Sequence, residues 1–159
     1  MQWPASLEEL ELSIWNLSSH QLRLPPRLRK LRLGHIFNQS VAELELPSTL
    51  EWLAFGVAFN QPVESVLRLP MSLQHLHFGS GHFADQFNQS LANMQWPSSL
   101  HSLFLPSSLH VSVDGLPRHL PASLRALHRF KSTDANVEAA WAAIVASLPW
   151  CEMMVKQLL

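Results

Sequence analysis

His75 and His77 stand two residues apart in Gln74-His75-Leu76-His77-Phe78, and His82 follows close behind. On an extended chain, residues two apart point to the same side, so this pair offers two imidazoles to one volume. Such a pair suits zinc, which needs three or four ligands in a tetrahedral set. No carboxylate or cysteine is spaced to complete that set. The two histidines read instead as polar residues in the outward slots of a strand, and no metal is expected. Cys151 is the single cysteine, which excludes an intrachain disulfide and a multi-cysteine metal site. Within Leu148-Pro149-Trp150-Cys151-Glu152 it reads as a small packed hydrophobe. Asn16-Leu17-Ser18, Asn38-Gln39-Ser40 and Asn88-Gln89-Ser90 match the glycosylation acceptor pattern. They recur because a longer unit recurs, and no modification is expected. A glycine-rich phosphate loop, a nucleophile elbow and a His-Glu-x-x-His motif are all absent, and Ser, His and Asp lack catalytic spacing. The sequence therefore predicts no catalytic residues, no cofactor and no enzymatic activity.

A repeat must position these side chains. The phrase Pro-x-(Ser/Thr/Arg)-Leu recurs at Pro4–Leu7, Pro25–Leu28, Pro47–Leu50, Pro70–Leu73, Pro97–Leu100 and Pro121–Leu124, with an extra copy at Pro106–Leu109. The closing leucines are 21, 22, 23, 27 and 24 residues apart. Five units continue as Leu-x-x-Leu-x-(Leu/Phe); the sixth, LRALHR, places Arg129 where an apolar residue belongs, as if the array fades there. Phe-Asn-Gln follows at residues 37–39, 59–61 and 87–89, with the variant Trp15-Asn16 in the first unit. A weaker apolar line then leads to the next proline: Val41/Leu44/Leu46, Val63/Val66/Leu69 and Leu91/Met94/Trp96.

The alternation in each leucine phrase has period two, so each predicts a short strand with one buried face. One such strand cannot bury that face alone; stacked on its copy one coil away, it can. The predicted fold is a repeat solenoid with short parallel strands stacked into one curved sheet and a mostly irregular convex side. The prolines read as strand punctuation, and Gly34, Gly56 and Gly79 mark sharp turns after the strands. Phe37, Phe59 and Phe87 are expected to form one buried column.

These words resemble leucine-rich repeats, and more closely the FNIP repeat, a short unit named for Phe-Asn-Ile-Pro. The stretches that carry the resemblance are LPSTLEWLAFGVAFNQPV and LPMSLQHLHFGSGHFADQFNQSL, within about residues 3–130. The resemblance implies a curved solenoid that acts as a protein-binding scaffold, without enzymatic activity. Two features depart from it. Gln-Ser or Gln-Pro replaces Ile-Pro, and Asn38 and Asn60 come five residues after Leu33 and Phe55, where the common leucine-rich pattern has three. An asparagine ladder is left open.

Composition fits this reading. Apolar residues make up 47% of the 159, charged residues 14%, and the net charge is −1, which excludes a disordered chain and gives no field toward nucleic acid. The basic run Arg23, Arg27, Arg29, Lys30 and Arg32 is flanked by Glu8, Glu9, Glu11 and by Glu43, Glu45, Glu51, so neutralisation between coils is expected. No signal peptide is seen. The uncharged stretch Ala139–Cys151 is interrupted by Pro149 and falls short of the ~20 residues that span a bilayer. A cytoplasmic protein without membrane insertion is expected.

In coil order the outward slots read Glu9, Lys30, Trp52, His75, Ser102, Ala126 and, beside them, Glu11, Arg32, Ala54, His77, Phe104, His128. Glu9 is expected to pair with Lys30 and Glu11 with Arg32. Trp52, His75, His77 and Phe104 are the candidate protein-binding residues: outward aromatics serve as anchors, and the two histidines are expected to titrate near pH ~6.5. Residues 1-131 are assigned to the array and 132-159 to a helical C-terminal cap. Ser132, Thr133 or Asp134 would start a helix, with Val137, Trp141, Ile144, Val145 and Leu148 on its apolar stripe. Pro149 would end it or open a second helix carrying Met153, Met154, Leu158 and Leu159. MQWPASL at residue 1 repeats as MQWPSSL at residue 94, so upstream repeats or self-association through the N-terminal edge are expected. The functional expectation is a protein-interaction module; the alternative is a structural subunit of a large stable assembly.

Overall fold

The computed structural model describes residues 3–13, 22–79, 85–106, 109, 113–130, 134–146 and 152–156. Trp15-Asn16, His82, Ser132, Thr133, Leu148, Pro149, Cys151, Leu158 and Leu159 lie outside the described residues.

Seven strands form one all-parallel sheet in chain order: β1 (Glu9–Leu12), β2 (Lys30–Leu33), β3 (Trp52–Phe55), β4 (His75–Phe78), β5 (Ser102–Phe104), β6 (Ala126–Phe130) and β7 (Glu152–Lys156). Each strand is one rung of the solenoid. The register aligns the repeat with itself, Leu10 on Leu31, Leu53, Leu76, Leu103 and Leu127 in turn. From Leu31 onward this column is fully buried, whereas Leu10 and Leu12 on the outer strand keep 8% exposure each.

Between strands the chain advances by turns. In every unit the proline carbonyl accepts the amide of the leucine three residues on, from Leu7 to Pro4 at 3.0 Å through Leu124 to Pro121 at 3.0 Å. The prolines thus open a turn as well as ending a ladder. The third position of the phrase joins the coils: the hydroxyls of Thr49, Ser72, Ser99 and Ser123 donate to the carbonyls of Leu28, Leu50, Leu73 and Leu100, the last leucines of the preceding units' phrases, at 2.8, 2.6, 2.7 and 2.7 Å. Each gives a carbonyl between coils the partner that burial demands.

The second phrase makes another ladder. Asn38 Oδ1 accepts the Asn60 amide (2.9 Å) and the Gln61 side chain (3.0 Å), and Asn60 Oδ1 accepts the Asn88 amide (2.9 Å) and the Gln89 side chain (2.8 Å). The asparagine ladder exists despite its shifted spacing, and the glutamines share it. Beneath it, Phe37, Phe59 and Phe87 stack at 6.0 and 5.9 Å, fully buried as expected, and Phe55 and Phe78 interleave with them at 4.0 and 4.4 Å. Burying one such side chain contributes about 1.5–3 kcal/mol. Gly34 and Gly56 lie where successive coils touch: a Cβ on Gly34 would meet the Leu12 carbonyl, and one on Gly56 the Gly34 carbonyl.

The end of the chain corrects two expectations. Helix α1 (Ala135–Ala146) is present, with Val137 and Trp141 buried in the core and Ile144 and Val145 packed against it. The expected second helix is not: Met153 and Met154 lie on β7, which extends the sheet by pairing with β6. Arg129 is no sign of a fading array either. It occupies the inward slot with 5% exposure, makes a two-fold ion pair with Glu138 of α1 at 2.8 Å, and lies over the Trp141 ring. The slot is polar because it receives a helix. Among the described residues no helix is long and apolar enough to cross a membrane.

Candidate functional site

Period two leaves every second strand residue on the outer face of the sheet. The register confirms both outward columns: Glu9, Lys30, Trp52, His75, Ser102, Ala126 in one, and Glu11, Arg32, Ala54, His77, Phe104, His128 in the other. Trp52, His75, His77 and Phe104 are all half-buried. α1 packs against the short helical turn at Val113–Gly115 and does not lie over these strands.

Three of the four candidates touch. Trp52 belongs to the first column but leans toward the second, above the short Ala54 side chain, which is left with 4% exposure. Its ring centroid lies 5.2 Å from that of His77. His77 stacks on Phe104 at 5.7 Å and 11°, and Phe104 on His128 at 6.2 Å and 27°. The result is one row of rings across four rungs, about 14 Å long at ~4.8 Å per rung. His75 is set apart, in a shallow hollow shared with Arg29, Lys30, Glu51 and Trp52. His128, Ala54 and Arg32 also shape the row. The sequence places His128 in the outward column without making it a candidate; for Ala54 the signal is its small size among long neighbours.

Charge gathers at one end of the row. Lys30 pairs with Glu9 at 3.6 Å, as expected, while Arg29 grips Glu51 with contacts of 2.8–3.1 Å. The expected Glu11–Arg32 pair is not formed. Arg32 turns over the Trp52 indole instead, 5.5 Å from its centroid, and Lys30 lies 5.3 Å from the same ring. At a surface the two contacts are of similar worth, on the order of 0.5–1 kcal/mol each, so an aromatic face can take the place of an exposed carboxylate.

The histidines do not titrate together near 6.5. Burial among the rings pushes His77 down to about 4, helped by the like charges of His75, His128 and Arg32. His75 is lowered too, by burial and then by His101, with Glu51 opposing. Both are neutral rings at neutral pH. Among the described residues no three His, Cys, Asp or Glu side chains gather to hold a metal ion.

The arrangement offers a partly desolvated aromatic strip, a cationic end and a hollow over Ala54. No curated protein matches the chain. The FNIP Repeat family model matches residues 37–81 and 59–108, the coils that carry Phe37, Phe59 and Phe87 and the strands β3, β4 and β5. With the parallel rungs and the Asn–Gln ladder around them, these matches make the array an FNIP-repeat-like solenoid.

Proposed function

We propose that this solenoid is a protein-interaction scaffold whose partner lies across the outward face of β3 to β6, with Trp52, His77 and Phe104 as its main contact and His75 at its border. The observation that carries this reading is the row of half-buried rings from Trp52 to His128. The buried phenylalanine columns hold the coils together from inside. The outward rings meet water on one side, and large planar side chains in such positions are the usual anchors of protein interfaces. The proposed role involves no catalysis.

A photo-crosslinking residue at position 104, compared with one at the more exposed apolar Met71, tests the reading in source-cell lysate. A discrete crosslinked species from position 104 and none from position 71 is the expected result. Crosslinking of equal pattern from both positions, or from neither, would contradict it.

A further inference from the structure

The second outward column is interrupted at Ala54, between Arg32 and His77. Trp52 leans over this short side chain, and beside it lies a hollow of about 360 Å³, lined by Ala54, Trp52, His77 and Phe104 and reaching the backbone at Gly34 and Gly56. Arg32 stands at its rim. Its Cζ lies over the indole, 5.5 Å from the ring centroid, and a guanidinium can grip a carboxylate with two parallel hydrogen bonds. Lys30 and Arg29 beside it each hold a glutamate, but among the described residues no carboxylate pairs with Arg32. Glu11 lines the far side of the same hollow, so an incoming anion is confined to the Trp52 side of Arg32.

The spacing selects the form of the ligand. Arg32 and Ala54 occupy neighbouring rungs, ~4.8 Å apart, and His77, one rung further on, also lines the hollow. On an extended peptide, side chains two residues apart share a side at a separation of about 6.6 Å. We infer that the hollow over Ala54 receives an aromatic side chain of an extended protein segment, whose acidic residue two positions away pairs with Arg32. This rests on the reading of the outward face as a binding surface and adds the chemical class of what it binds.

The probe is the capped tripeptide Ac-Asp-Ser-Phe-NH2, titrated into the isotope-labelled full chain and followed by NMR. Shifts are expected at the Trp52 indole N–H, the Arg32 side chain and the amides of Ala54 and Gly56. Ac-Asn-Ser-Phe-NH2 should bind about tenfold more weakly, the worth of one charged hydrogen-bonded contact, and Arg32→Gln should weaken the acidic peptide equally. Ala54→Leu adds bulk beneath Trp52 at the floor of the hollow and should abolish the shifts, while Met71→Ser should leave them unchanged. Equal affinity for the two peptides, binding that survives Ala54→Leu, or no shift at about 10 mM peptide would overturn the inference. If the peptide fails while the crosslink at position 104 persists, the ligand class is wrong and the face stands. If both fail, the face itself is refuted.

Discussion

His77 carries a testable consequence of being an outward residue that is not fully wet. Its imidazole sits between the Trp52 and Phe104 rings and is held neutral down to about pH 4 by burial, with His75, His128 and Arg32 adding repulsion. An unfolded histidine titrates near 6.5. Between these values the unfolded chain binds a proton that the folded chain refuses, so stability rises with pH across that window. The contribution is complete above about 6.5 and is lost as pH falls toward 4, an effect on the order of 2 kcal/mol after allowance for partial solvent screening. Urea unfolding from pH 7 to pH 4 should therefore show a steeper loss for the wild type than for His77→Gln. Carboxylates and His75 titrate in both proteins and largely cancel in the difference. Parallel pH profiles would mean that the His77 ring is solvated. Its outward position was legible from period two alone. Its suppressed protonation was not, because that depends on residues from four other coils: Arg32, Trp52, Phe104 and His128.

At the scale of elements, the inward slots are set by what packs on them. The Leu and Phe columns follow from the repeat, since identical residues one coil apart meet in register. The Ser/Thr ladder was visible as a preference at the third position of the proline phrase, but its purpose appears only once each hydroxyl is found on the carbonyl of the preceding coil. Arg129 breaks the apolar pattern, and the reason lies nine residues on, in Glu138 of α1. Removing one partner of a buried ion pair strands the other charge, which costs about 3–5 kcal/mol, whereas replacing both is far milder. Glu138→Ala should accordingly destabilise the chain by several times more than the double variant Arg129→Leu/Glu138→Ala, measured by urea unfolding. A single variant no worse than the double would show that Arg129 does not depend on α1. β7 escaped the sequence reading because Glu152–Lys156 lacks the proline phrase, and its methionines suit a helix as well as a strand.

For the whole molecule, recurrence made the architecture legible. A single unit cannot bury its apolar face, so a sequence that repeats the same face every 21 to 27 residues must stack it. The same regularity hides function, because the slots that bear on binding are those where the repeat varies: Trp52 after Lys30, Ala54 after Arg32, His77 and Phe104 beyond. The columns marked those residues, but the lean of Trp52 over Ala54 and the turn of Arg32 away from Glu11 depend on side-chain packing that no spacing encodes. The proposed scaffold role depends on that face and no other. Its most direct measurement is the recovery of bound protein from source-cell lysate by the wild type, by Trp52→Ala/Phe104→Ala, and by Ile36→Ser/Met71→Ser, which alters two exposed large apolar residues away from the row, at 49% and 67% exposure. Circular dichroism would check that all three are folded. The account predicts a specific set of proteins recovered by the wild type and by the Ile36/Met71 variant but lost with the Trp52/Phe104 variant. Recovery that a folded Trp52/Phe104 variant leaves unchanged would contradict it.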